Sequence, residues 1–327
     1  MKGTAEGSIA SRRASGSDLL LLLLLATLWG SSYTFIHLGV ATIPPITFIA
    51  ARTVIAGGVL TTVVWLRRVP VPMSATVWFR FLVQSLLNSA VPFTLIAWAE
   101  TRTPANLATI LNSISPIFAF LITALITKHE PVTGRKLFGV GAGLAGVCVI
   151  VGIGSLSGLG HQLWGQLAII AASLCYAGGA ILGKGFADLD PMLPAAGSLL
   201  CGAVILAPVS LAVDHPWTIR PSMQSVLALL ALALACTALT FVIYFRLVAR
   251  IGSVGTTAQA YLRVPIGVAI STISLNEPLQ PEAWVGLICV VIGVIAMTST
   301  GPPRMQPVAH TVDDPSANAT IKKPAAD

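Results

Sequence analysis

An arginine buried in a long apolar run costs about 2.5–3.5 kcal/mol on insertion scales, so it faces a polar cavity or a partner. Arg263 is such a residue. It stands ten residues into the apolar stretch 253–275, roughly 14 Å from its start at ~1.5 Å per residue, near the middle of a hydrocarbon layer. No Asp or Glu lies at similar depth in any apolar stretch. Its guanidinium therefore suits a carboxylate or phosphate brought in by a ligand and gripped bidentately. The competing reading is structural: Arg263 bonds carbonyls freed by Pro265, or reaches toward the polar edge. Arg52 lies eight residues into 45–66, with Glu100 at a depth where the two can meet. A gating or structural ion pair is the expectation there, ahead of ligand contact.

Polar residues elsewhere fall in stripes. Trp29, Ser32, Tyr33 and Ile36 occupy i, i+3, i+4 and i+7, one face of a helix. An aromatic with hydroxyls beside it suits a half-polar cavity wall. Asn112 and Ser115 share a face just before Pro116, which frees a carbonyl that a hydroxyl can satisfy. Gln84 and Asn88, then Gln259 and Arg263, repeat the i, i+4 spacing. The candidate cavity is thus Trp29, Ser32, Tyr33, Asn88, Asn112, Gln259 and Arg263. Taken singly, each fits plain helix packing; stripes in several helices fit a shared wet cavity better.

Other patterns carry less. Gly141-x-Gly143-x-x-Gly146 matches a dinucleotide fingerprint, but it follows no strand and lacks the acidic residue about 20 positions on. Close helix packing through small residues, as in Gly139-x-x-x-Gly143, explains it. The cysteines (148, 175, 201, 236 and 289) lie in apolar runs without metal or disulfide spacing. No HExxH or paired-carboxylate site occurs, and neither metal nor cofactor is expected.

The elements that position these residues follow from composition. Of 327 residues, 55% are hydrophobic and 9% charged, with mean hydropathy +0.86. Soluble domains carry roughly 25% charged residues, so most of this chain does not face water. The net charge of +7 sits in short loops and tails rather than on one polar face, which argues against nucleic acid. Apolar windows predict spans near 18–39, 45–66, 77–99, 104–127, 136–154, 162–183, 191–213, 224–248, 253–275 and 282–300. Arg12 and Arg13 before Leu19–Leu25 mimic a signal peptide, but no A-x-A-like site follows, so a first span is expected. With both ends in the cytoplasm, fifteen of nineteen Lys and Arg lie on that side, and only Arg102 and Arg220 fall outside.

The halves resemble each other at an offset of 147–148 residues. Glu130-Pro131 matches Glu277-Pro278, Gly139 and Gly146 match Gly286 and Gly293, and Phe93, Arg102 and Ala105 match Phe241, Arg250 and Ser253. Five spans per unit force the second copy to insert upside down. The charges agree: Lys128, Arg135 and Lys136 flank the first Glu-Pro, while none lie between Arg263 and Arg304. The expected class is an all-α integral membrane protein of ten transmembrane helices in two inverted five-helix repeats. Residues 18–154 and 162–300 form the repeats, with disordered cytoplasmic tails at 1–17 and 301–327. Inverted repeats of this kind are a device of carriers.

Taken in order, Leu28-Trp29-Gly30-Ser31-Ser32-Tyr33, Pro44-Pro45, Ala50-Ala51-Arg52, Ser115-Pro116 and the two Glu-Pro corners resemble the drug/metabolite transporter superfamily, the EamA-like group. The resemblance spans about 280 residues. It departs from the family where His129 and Asn276 replace the usual Gly before Glu. It implies a cavity lined by spans 1, 3, 4, 6, 8 and 9, and a bacterial inner-membrane carrier exporting amino acids, other metabolites or toxic compounds. The expectation is an exporter of carboxylate-bearing metabolites working by alternating access, with a small molecule and membrane lipid as partners. A multidrug exporter or a non-transporting scaffold are the alternatives. Gly-rich spans 5 and 10 can pack within the monomer or form a homodimer face. Only His37 and Glu100 approach the interior as titratable groups, both near the outer side, so a proton relay has little support at this level.

Overall fold

A computed structural model describes residues 16–122, 124, 133–156, 161–186, 188–244, 246–247, 259–279 and 281–298. Lys128, Glu130, Pro131, Arg250 and Ser253, used in the comparison of halves, lie outside these, as do residues 1–15 and 299–327. The described residues are helical between short turns, with no strand among them. The helices are α1 Gly16–Val40, α2 Pro45–Leu66, α3 Ala75–Ala99, α4 Ala105–Ile122, α5 Gly134–Leu156, α6 His161–Gly183, α7 Met192–Val213, α8 Met223–Tyr244, α9 Gln259–Leu275 and α10 Pro281–Thr298. Seven stretches, in α1–α4 and α6–α8, are long and apolar enough to cross a membrane; Leu262–Leu275 and Pro281–Gly293 are shorter apolar runs. In hydrocarbon each backbone N–H needs an internal partner, which favours helix wherever the chain is apolar all round. Large apolar side chains on the outer surface (Leu20, Trp65, Val204, Ile273) remain exposed, as a lipid-facing surface requires.

Helix starts are secured from across the bundle. Thr47 of α2 donates its N–H and Oγ1–H to Asp214 Oδ2, at the end of α7, at 2.9 and 2.8 Å. A carboxylate at a helix N-terminus satisfies orphan amides and meets the positive end of the dipole. This contact ties α2 to α7, which pack closely on each other.

Helices α3, α4 and α8 depart from regular geometry. α4 breaks at Ser113–Ile114, ahead of Pro116, and Ser115 Oγ donates to the Asn112 carbonyl at 2.9 Å. That is the carbonyl a proline four residues on leaves without its N–H. In α3 the segment Leu86–Ala90 is π-helical, and the Val91 N–H bonds the Leu86 carbonyl just before Pro92. α8 contains a second π segment, Ala231–Leu239, with no proline inside it. Such turns insert a residue into the register and rotate everything beyond it.

Two crossings bring backbone onto backbone. A Cβ on Gly30 of α1 would lie 2.9 Å from the Arg263 carbonyl oxygen and 3.0 Å from Gly267 N on α9. A Cβ on Gly146 of α5 would lie 2.8 Å from Gly286 O, and one on Gly293 of α10 would lie 2.6 Å from Gly139 O. α5 and α10 therefore cross within the chain, through the glycines whose spacing repeats.

Candidate functional site

The centre of the bundle holds a short chain of hydrogen bonds between three helices. Asn112, last residue of the first half of α4, donates Nδ2–H to the Tyr33 hydroxyl of α1 at 2.5 Å. Its Oδ1 accepts from Ser173 Oγ of α6 at 3.0 Å. The break in α4 makes this geometry, because it ends the helix at Asn112. Tyr33 and Asn112 are buried, and Ser173 is wholly so. Since the Tyr33 oxygen accepts, its own proton stays free to donate toward a ligand.

Two arginines bring charge to this chain; both act electrostatically on Tyr33. Arg263 is half-buried and makes no hydrogen bond or ion pair among the described residues. The α1–α9 crossing sets its position, with its main-chain oxygen against Gly30. Arg52 is buried; its Nε–H donates to Thr237 Oγ1 at 3.0 Å, and its guanidinium lies 3.7 Å from the Phe93 ring centroid. The expected Arg52–Glu100 ion pair is not formed. The π segment of α8 explains why. Thr237 Oγ1–H bonds the Leu232 carbonyl five residues back, the π register, and its oxygen is left facing α2. Arg52 takes that oxygen and the Phe93 face in place of the carboxylate.

The other candidates are spread more widely. Trp29 Nε1–H donates to Thr240 Oγ1 at 3.0 Å and its ring sits 5.7 Å from that of Tyr244, so it joins α1 to α8. Ser32 bonds back to the Leu28 carbonyl of its own helix. Asn88 lies against Gly179 of α6 and joins none of these bonds. Gln259 is buried, and its Oε1 has no partner among the described residues. Residue-level reading missed Ser173, Tyr176, Thr237 and Phe93. Ser173 and Tyr176, three apart on α6, formed a signal as good as the stripes noted; Phe93 and Tyr176 pack with ring centroids 6.4 Å apart.

A second polar cluster lies where the α3–α4 turn meets the α9–α10 corner. Glu277 accepts the amide N–H of Ala105 and of Asn106, both at 3.1 Å, and Asn106 Nδ2–H donates back to the Glu277 carbonyl. The second Glu-Pro corner thereby caps α4. His37 Nε2 stands 3.9 Å from Glu277. Glu100, one residue beyond α3, is buried beside them, and neither of its carboxyl oxygens meets a donor in hydrogen-bond geometry.

Comparison with known proteins bears on what this arrangement does. The model of the EamA-like transporter family matches twice, over residues 17–152 and 163–299. An Escherichia coli K12 protein named "Uncharacterized inner membrane transporter YedA" is 28% identical over 280 residues, 85% of this chain and 89% of that protein. A "Probable amino-acid metabolite efflux pump" of the same strain is 24% identical, over 86% of this chain and 94% of its own. A "Probable terminal-alkyne amino-acid exporter" of Streptantibioticus cattleyicolor is 27% identical, over 62% and 66%. One solved crystal structure aligns with TM-score 0.60 at 19% identity, covering 86% of this chain and 97% of that one; it shares the fold.

Proposed function

The chain belongs to the EamA-like transporter family, a membrane transporter with several spanning helices, and we propose that it exports a small carboxylate-bearing metabolite, such as an amino acid, by alternating access. One observation carries this reading. Two guanidinium groups, Arg52 and Arg263, act electrostatically on Tyr33 at one end of the Tyr33–Asn112–Ser173 chain, and no carboxylate pairs with either among the described residues. A cation drawn even partly out of water without an anion is costly, and a substrate carboxylate relieves that cost. Arg263 is the anchor, because Arg52 is already engaged by Thr237 and Phe93. Tyr33 supplies the orienting hydroxyl. Two relatives named for amino-acid export support the substrate class.

The reading includes ten spans in two inverted repeats, with both termini in the cytoplasm of a bacterium and the helices in its inner membrane. Reciprocal contacts support the symmetry. Gly146 meets Gly286 and Gly139 meets Gly293; an offset of 147 exchanges these two pairs, as a two-fold axis between repeats demands. The π segments of α3 and α8, at 86–90 and 231–239, also overlap at the same offset. Two repeats rocking about the central cluster would expose it to each side in turn. The distribution of Lys and Arg supports the orientation.

The aromatic side of the same region, Phe93 with Tyr176 and Trp29 with Tyr244, favours a second reading: export of more apolar, toxic compounds. Transport in proteoliposomes separates the two. Wild type and Arg263→Ala are compared across amino acids, organic acids, and neutral or cationic drugs. The expected result is carboxylate flux that falls at least about tenfold in Arg263→Ala, equivalent to ~1.4 kcal/mol of lost binding, with an unchanged melting temperature. Flux of neutral or cationic compounds alone supports the apolar reading, and full activity in the variant removes Arg263 from the site.

A further inference from the structure

Glu100 has no evident part in holding the fold together. It is 1% exposed and both carboxyl oxygens lack a donor among the described residues. An ionised carboxylate without a partner, held out of water, is several kcal/mol uphill, whereas the neutral acid is far less costly. The groups around it do not repair this. Glu277, from the α9–α10 corner, brings a like charge and spends both oxygens on the α4 amides. Arg52, from α2, brings an opposite charge, but its guanidinium is committed to Thr237 and Phe93. On α1, Tyr33 is held by Asn112, and His37 directs Nε2 at Glu277 while its buried Nδ1 has no partner. The His37 main chain is near Glu100 without reaching hydrogen-bond geometry. On α6, Gln166 is buried with Oε1 unpartnered, and Gly165 abuts Thr103, whose buried hydroxyl is also unpartnered. Burial first, and then the charge of Glu277, push the Glu100 carboxyl well above the ordinary carboxylate range, against the weaker pulls of the His37 main chain and then of Arg52.

We propose that Glu100 is a proton-binding site, and that closing the α3–α4 corner against the α9–α10 corner takes up one proton there. The balance is simple. In the open corner water reaches Glu100, which is a carboxylate; on closing, one H⁺ from the adjoining water makes it a neutral acid, and reopening returns that proton. A bound sodium ion fits less well. Both oxygens of Glu277 are already engaged, and no three His, Cys, Asp or Glu among the described residues converge to hold an ion. The inference deepens the carrier reading and rests on it in one respect: that reading makes this corner the outer gate, so external acidity holds the gate shut. Between the ordinary carboxyl pKa, about 4, and the raised one of the closed form, the opening constant rises about tenfold per pH unit.

The test is hydrogen–deuterium exchange of the full chain in lipid nanodiscs, read on peptides covering 96–107 from pH 5.5 to 8.5 after correction for intrinsic exchange. In wild type, protection of these amides falls as pH rises. Glu100→Gln, which copies the neutral acid in shape, folds with an unchanged melting temperature at pH 5.5 and stays protected at every pH. A wild type with no pH dependence overturns the proposal. So does a Glu100→Gln protein that keeps the wild-type dependence while His37→Gln loses it, which would move the proton to His37. Protection that follows sodium against choline at fixed pH, and not pH itself, would make this a cation site and equally overturn it. No substrate is present in this experiment, so a failure of the carrier reading, seen in proteoliposomes, is told apart from a failure here.

Discussion

In the centre of the bundle the Asn112 amide has a partner on either side, Tyr33 and Ser173, and the buried Arg52 has Thr237 and Phe93. In the α3–α4 corner and on α1, Glu100, Thr103, Thr34 and His37 Nδ1 are buried with no partner among the described residues. The same residue types are thus satisfied in one place and left wanting in another. A buried polar atom without a partner costs about 1–3 kcal/mol, so the corner carries a cost that the Tyr33–Asn112–Ser173 chain does not. The centre is built to hold one arrangement until a ligand arrives. The corner is built to leave its arrangement, which suits a gate better than a binding wall.

That contrast can be broken or sharpened by substitution. The largest effect falls on the crossing that sets up the centre. Gly30→Leu drives a side chain into the Arg263 carbonyl and the Gly267 backbone, which cannot yield as a flexible side chain would. A loss of about 3 kcal/mol, or failure to recover folded protein, is expected by thermal melting in detergent; a normal melt would deny that the α1–α9 contact is tight. Next, Asn112→Ala removes both bonds of the central chain and costs about 1–2 kcal/mol, since interhelical bonds in membranes are individually modest. Smaller again is Glu100→Gln. Its stability should match wild type at pH 5.5 and exceed it at pH 8.5 by about 1 kcal/mol, because a raised carboxyl pKa makes the folded form lose stability as pH climbs through that window. A variant less stable than wild type at pH 8.5 would show that the carboxylate, not the acid, is the form the fold prefers. Smallest is Thr34→Val, which exchanges an unpartnered hydroxyl for a methyl of equal size. It should be neutral or stabilising by up to about 1 kcal/mol. A cost comparable to that of Asn112→Ala would erase the distinction between the two regions.

How much of this was legible in the residues varies by element. The face Ser32–Tyr33–Ile36 was readable because α1 keeps helical spacing from Ser32 onward and all three are buried. Asn112 and Ser115 were readable because a proline announces which carbonyl it frees. The spacing of Gln84 and Asn88 was not a reliable guide: the π segment at Leu86–Ala90 intervenes, and the 3.6-residue period no longer says which way Asn88 points. The Arg52–Glu100 pair failed for a related reason. Depth along a helix told where each residue lies, but which oxygen Arg52 meets was settled by a register shift in α8.

The sequence by itself determined that this is a helical membrane chain of the EamA-like transporter family, because apolar length, scarce charge and a repeated motif order are properties of the chain read in one dimension. Only the tertiary structure decided which glycines meet, that Asn112 links Tyr33 to Ser173, that Glu277 caps α4 from 171 residues away, and that Glu100 is left without a partner. The physical reason is range. Hydropathy and helical period act along a segment, whereas a hydrogen bond is made or missed over a few tenths of an ångström between helices whose rotation a single π turn or proline can change.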